Sequence, residues 1–292
     1  FEGAVGSIED GELGAVTINA ANRVHFRESA RVASLNQQVT GSGPFRIDGA
    51  LTATTGGISI DSSAVYVTAN VQTLSAGASI VLTGNAFLGA DLATDGGDIS
   101  LNSFVALRDT VSVSTGSDGG DITFMANLVS DEDTGVQDLT LAAGSGDITF
   151  MSPVGSSGSG SIGALTINAS GDLNIGDTVV VQSLSQSVTG TGTVTVDGAI
   201  AASSGGVMFD ADTIDLNASI RTYGQDISLT AGTGGIDLAL TESITTTDAS
   251  GQSLTSGDIF ITSAGAVNLY GGLVTAGVSN FMVTAATWST TT

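Results

Sequence analysis

The sequence predicts an all-β fold of the parallel β-helix, or β-solenoid, type, and three observations carry that expectation. A Gly-Asp-Ile cassette recurs along the chain, a long unit is duplicated, and the composition lacks what a thick globular core needs. Gly120-Asp121-Ile122-Thr123-Phe124 returns as Gly146-Asp147-Ile148-Thr149-Phe150. Looser copies stand at Gly97-Asp98-Ile99-Ser100-Leu101 and Gly257-Asp258-Ile259-Phe260-Ile261. Glycine and aspartate read as a turn, glycine because it tolerates positive φ and aspartate because it bonds nearby backbone. The three residues that follow place two large apolar side chains on one face of a strand.

Strand cores of the same kind recur at Val16-Thr17-Ile18, Ile58-Ser59-Ile60, Ile80-Val81-Leu82, Leu165-Thr166-Ile167 and Ile227-Ser228-Leu229. Their spacing is uneven but centres on about 20 residues, the length of one solenoid rung. The expectation is therefore about 14 coils of roughly 20 residues, stacked ~4.8 Å apart into a rod roughly 65 Å long. A β-sandwich array would need loop prolines, aromatic anchors and domains of roughly 100 residues. The chain has 2 prolines and 5% aromatics, so the solenoid is preferred. Helical periodicity with caps is not visible.

The long repeat has a shift of 149 residues, with Leu13–Thr73 running onto Ile162–Thr222 without a gap. Ser34-Leu35, Gln37, Asp48-Gly49-Ala50 and Gly56-Gly57 fall on Ser183-Leu184, Gln186, Asp197-Gly198-Ala199 and Gly205-Gly206. Roughly a third of the pairs are identical, and apolar positions stay apolar. Residues 1–149 form the first long unit and 150–292 the second, continuous with it.

Charge and composition narrow the function. Twenty-nine acids face six bases, all arginine, for a net charge of −23. Such a surface repels nucleic acid and anionic membrane, and neither is an expected partner. Absence of lysine excludes lysine-based catalysis and lysine–asparagine crosslinks. Absence of cysteine excludes disulfides, thiolate metal sites and cysteine nucleophiles. No apolar run reaches the roughly 18 residues of a membrane-spanning helix. Neither terminus offers a recognisable cap, which leads to the expectation of a longer chain or end-to-end self-association.

The Gly-Asp-Ile-Thr-Phe cassettes and Leu165-Thr-Ile-Asn-Ala-Ser-Gly-Asp-Leu-Asn-Ile175 resemble the repeats of filamentous-haemagglutinin-type adhesins and related giant bacterial surface proteins. That resemblance implies a right-handed parallel β-helix, secretion, and a role in adhesion or in a surface filament. The expected function is structural: a stiff extracellular rod or head-to-tail filament, with adhesion to glycans or a host surface through its loops. The alternative is a carbohydrate-binding or polysaccharide-cleaving β-helix.

Candidate sites follow from residue type. If coils stack in register, Asp98, Asp121, Asp147, Asp226 and Asp258 bring like charges roughly 5 Å apart, where weak calcium binding along an acidic edge would relieve repulsion. Calcium is the one cofactor to consider. Arg23, His25, Arg27, Arg31 and Arg46 make the only cationic patch and the candidate partner-binding surface, for an anionic glycan or an acidic subunit. Asparagines after strands, such as Asn102, Asn174, Asn217 and Asn268, suit ladders from coil to coil. Asp210, Asp212 and Asp215 are the best carboxylate cluster, but they have no evident catalytic base beside them, and no catalytic residue is expected. Tyr66, Tyr223, Tyr270 and Trp288 read as scattered rather than as a binding strip.

Overall fold

The computed structural model describes residues 1–6, 11–19, 21–38, 43–158, 160–169, 171–186, 192–247, 257–274 and 280–290. Among these residues all helix and strand structure is β, with 29 strands hydrogen-bonded in parallel into one continuous sheet. The chain winds through about 12 turns of ~21 residues, which is the β-solenoid the repeats imply. The turn count falls below about 14 because several coils run well past 20 residues, as the 26 between Asp121 and Asp147 show. Stacked neighbours lie as few as 19 residues apart (Ser79 and Asp98) and as many as 32 (Asp226 and Asp258).

Each turn lays down three faces. The first stacks Val16–Ile18 on Leu35–Gln37 and, further along, Ile122–Phe124 on Ile148–Phe150 and Leu173–Ile175. The second stacks Val24–Phe26 on Phe45–Ile47, and later Val105–Leu107 on Leu128–Ser130. The third stacks Ala30–Val32 on Leu51–Ala53 and Val71–Ala76. Alternation within each short strand sends flanking residues inward and the middle residue outward. Ile122 and Phe124 are buried while Thr123 is half-exposed, and the pattern repeats at Ile148-Thr149-Phe150. Stacking puts identical positions above one another, so the interior becomes columns of Ile, Leu, Val and Phe. Phe124 and Phe150 lie with ring centroids 5.3 Å apart, and Phe1 stacks on Phe26 at 4.7 Å. One apolar core runs from Val24 to Leu269.

The corners correct the expected role of the cassette glycine. Positive φ occurs at Gly96 (74°) and Gly119 (68°), the residues before the cassettes, but not at Gly97, Gly120, Gly146 or Gly257. These four are glycine because the coils meet there. A Cβ on Gly120 would overlap the Gly97 backbone, and one on Gly146 would overlap that of Gly120. Beside the cassettes a threonine ties the corner from within. Thr115 Oγ1 donates to the Gly120 carbonyl at 2.8 Å, Thr246 Oγ1 to the Gly257 carbonyl at 2.9 Å, and Thr94 Oγ1 to that of Gly97.

The long repeat and the solenoid are out of phase. Val16, Leu35, Ile58, Ile80, Ile99, Ile122 and Ile148 stack on the first face, six turns in all. Leu165, the partner of Val16 in the long repeat, lies on the third face, two-thirds of a turn beyond Ile148. Pairings are nevertheless copied across. Val16 pairs with Leu35 as Leu165 pairs with Leu184, and Phe45 with Val65 as Val194 with Ile214. The strand Ile58–Val67 bends from the first face to the second, whereas its repeat partner Val207–Leu216 bends from the third to the first. Three faces with the same inward–outward alternation tolerate this shift, because a repeated segment needs only equivalent neighbours above and below.

Corner crowding generates a test. Gly120→Ala is expected to destabilise the fold by ~1–3 kcal/mol in chemical denaturation, as an over-packed site does. Gly14→Ala, where nothing lies within 4 Å of the added carbon, is expected to be near neutral. Equal effects would remove coil contact as the reason for the glycine.

Candidate functional site

The cassette aspartates do stack, and they bond amides. Asp98 Oδ1 accepts from the Asp121 amide at 3.0 Å, Asp121 Oδ1 from Asp147 at 2.9 Å, and Asp147 Oδ1 from Asp172 at 2.7 Å. Asp172 Oδ1 then accepts from Thr193 at 2.7 Å. A second ladder runs along another corner, where Asp226 accepts from Asp258 and Asp258 from Asn280, each at 2.8 Å. The Asn280 amide and side chain together lower the Asp258 pKa. Each carboxylate thus anchors the next coil, and amide donation offsets the like-charge contact along the column. Among the described residues no group of three or more His, Cys, Asp or Glu could hold a metal ion. The asparagines also reach across coils, but to other residue types. Asn217 Nδ2 donates to Asp197 Oδ1 at 2.9 Å and Asn268 Nδ2 to Asp237 Oδ1 at 2.6 Å.

Asp210, Asp212 and Asp215 part company along one strand. Asp212 Oδ1 accepts the Thr233 amide at 2.9 Å, and the Asp210 amide donates to Gln186 Oε1 at 2.9 Å. Asp215 stacks in register on Asp237. Burial first, and then the charge of Asp237, push its carboxyl above the ordinary value.

The cationic patch is divided by the fold. His25 and Arg46 are successive outward residues of the second face. Asp48 joins them: His25 Nε2 lies 2.7 Å from Oδ2, while Arg46 Nε and Thr68 Oγ1 donate to Oδ1 at 2.8 and 2.7 Å. Burial works to raise the Asp48 pKa, but the bonds from Arg46, Thr68 and His25 outweigh it and hold the carboxyl well below the usual range. Arg27 lies 3.4 Å from Glu2 at the edge of the same face, and Arg23 is exposed just before its first strand. Arg31 departs from the group, pairing in register with Thr52 on the third face.

What the sequence reading missed is the continuation of that second face. Its outward row runs His25, Arg46, Tyr66, Phe87, Ala106 and Val129, each stacked on the one before. Tyr66 and Phe87 are parallel rings with centroids 4.7 Å apart, and the Arg108 guanidinium sits 4.8 Å from the centre of Phe87. Arg108 Nε also donates to Asp131 Oδ2 at 2.7 Å, which ties down the first residue of the acidic run 131–133. Further on, the row continues as Val180, Ala201 and Arg221, and Arg221 lies 4.9 Å from the ring centre of Tyr223. Five of the six arginines therefore border one face, as does the single histidine. The aromatics gather because Tyr66 and Phe87 are one coil apart, a spacing that becomes informative once the register is known.

Two hollows open on this face, either side of Ser156. One, of about 330 Å³, has Phe87, Phe104, Ala106 and Val129 as apolar wall and Asp131 and Glu132 at its edge. The other, of about 680 Å³, lies over Val180 and Ala201, between Tyr223, Gln182 and Ser203. Both fall within the range of small-molecule sites, ~300–1,000 Å³.

Two outcomes test these assignments. Asp147→Ala is expected to cost on the order of 1 kcal/mol in denaturant unfolding by orphaning the Asp172 amide, and Asp147→Asn less, because it keeps an acceptor. For Asp215, the folded chain binds the proton more tightly than the unfolded one. Its ionisation therefore costs stability, increasingly as pH rises from about 3.9 through the raised folded value. Asp215→Asn is expected to raise Tm at pH 7 and to have little effect near pH 3. A gain of equal size at both would discount the Asp237 contact.

No protein-family model, curated protein or solved structure matches this chain. The repeat architecture is shared with β-solenoids as a class, and the fold shown is that of a β-solenoid repeat protein.

Proposed function

We propose that this chain is a stiff rod segment of a secreted or cell-surface bacterial protein of the filamentous-haemagglutinin type. Its task in this reading is mechanical: to hold ends or loops apart, within a longer chain or by end-to-end association of copies. The observation that carries it is the single parallel sheet that joins all the described strands over one buried apolar core. Among the described residues coils are bonded to the next along the three faces, and along the Asp98–Thr193 and Asp226–Asn280 corners again by carboxylates, so bending the rod means breaking several of these contacts together. The net charge of −23 favours solubility and sets like rods apart sideways. Calcium acts only by screening the acidic corners, no cofactor is required and no reaction is catalysed. Adhesion, where it occurs, uses the second face.

Negative-stain electron microscopy of the purified chain, in calcium and then in chelator, tests this reading. Rods roughly 60 Å long, or fibres of one constant width formed from them, are the expected particles under both conditions. Compact globules without an elongated form would overturn it.

A further inference from the structure

We infer that the larger hollow on the second face is a binding site for an uncharged oligosaccharide, a function beyond that of a rod. Its chemistry is that of a polyol receptor. Val180 and Ala201 supply an apolar floor, and the half-buried Tyr223 supplies an aromatic wall. Gln182, Ser203 and Ser156 present exposed amide and hydroxyl groups around them. Among the described residues these three have no intramolecular side-chain hydrogen bond, so their donors and acceptors are available to a ligand. A sugar ring presents an apolar C–H face and a rim of hydroxyls, and it is matched by an aromatic surface beside groups that both donate and accept. The lining side chains are neutral, which favours an uncharged sugar over an anion.

The wall is held before any ligand arrives. The Arg221 guanidinium packs 4.9 Å from the ring centre of Tyr223, and its Nε donates to the Thr247 carbonyl at 3.3 Å. The threonine just before Tyr223, Thr222, is buried and donates through Oγ1 to the Gln225 carbonyl. A wall fixed in this way loses little freedom on binding.

The long repeat shows that the fold does not require Gln182. At the corresponding positions of the first unit, Gln72 stands for Arg221 and Ala33 for Gln182, and Leu74 follows the last matched residue, Thr73, as Tyr223 follows Thr222. The two corners differ in length: Thr73 lies inside the six-residue strand Val71–Ala76 of the third face, whereas Thr222 ends the three-residue strand Ile220–Thr222 of the second. Thr73 Oγ1 donates to the Ala78 carbonyl at 2.7 Å as Thr222 does to that of Gln225, and Leu74 is an exposed residue. Gln182 is therefore a departure from a pattern that the first unit satisfies without it: the Ala33 carbonyl accepts the Thr55 and Gly56 amides as the Gln182 carbonyl accepts those of Ser204 and Gly205. The same comparison supplies alanine as a replacement for Gln182 that this corner already accommodates.

The test is isothermal titration calorimetry of the full chain with cellotetraose, chitotetraose, mannotetraose and, as an anionic arm, tetragalacturonate. Wild type is expected to bind at least one neutral tetrasaccharide with little dependence on salt. Tyr223→Leu and Gln182→Ala are each expected to weaken that binding about tenfold or more, the scale of a lost aromatic or hydrogen-bond contact. Circular dichroism and Tm of both variants should match wild type, which separates loss of the site from loss of the fold. Binding of tetragalacturonate alone, abolished by salt, would overturn the inference in favour of an anion held by arginine. Neutral binding that survives both substitutions, or no binding of any probe, would also overturn it.

Discussion

Everything in this molecule follows from one constraint, that each coil must lie directly on the one before it at the spacing of a parallel ladder, ~4.8 Å. At that separation a corner has no room for a Cβ between backbones, so Gly97, Gly120 and Gly146 stack as bare backbone. The same closeness puts each aspartate carboxylate beside the amide of the aspartate above. A repulsive column becomes a bonded one, since every carboxylate accepts from the next coil before it meets the next charge. Glycine and aspartate thus do different work from what a turn needs, although the pair resembles a turn signal in the linear sequence.

The interior obeys the same rule. Inward residues sit above their own counterparts, so a core built from Ile, Val, Leu and Phe can be narrow and still fully buried. Five phenylalanines are among its largest fully buried side chains, and Phe124 and Phe150 stack because the cassette is repeated in register. The duplicated unit nevertheless advances by two-thirds of a turn beyond six, which places equivalent residues on different faces. Loops and outward residues unique to one unit therefore face another direction in its copy. A solenoid allows this because its three faces share one pattern, and a globular domain with a unique interior would not.

Outward positions are free of that rule and hold the variation. The first face turns Thr123, Thr149 and Asn174 outward in register, all polar. The second carries arginine, tyrosine and phenylalanine in its outward row, with two hollows beside them. The inward residues and corners therefore make the rod, and the outward row of one face carries its most varied surface, on different atoms of the same strands.

Much of this was legible in the linear chain. Alternating Ile-Thr-Phe and Ile-Ser-Leu triplets fixed the strands, the cassettes and their spacing fixed the coil, and zero cysteine and lysine removed whole classes of chemistry. These properties are local, or recur at a spacing visible to the eye. The outward row of the second face was not legible, because the distances that create it are coil lengths, and the coils here range from 19 residues to 32. Tyr66 and Phe87 read as scattered until the register set them 4.7 Å apart, and Arg108 gained its place over them only when its coil closed. Arg31, close in sequence to Arg27, was carried to another face by the next corner. Sequence fixes which residues face in or out; only the stacked coils fix which outward residues meet, because that depends on the summed length of every loop between them.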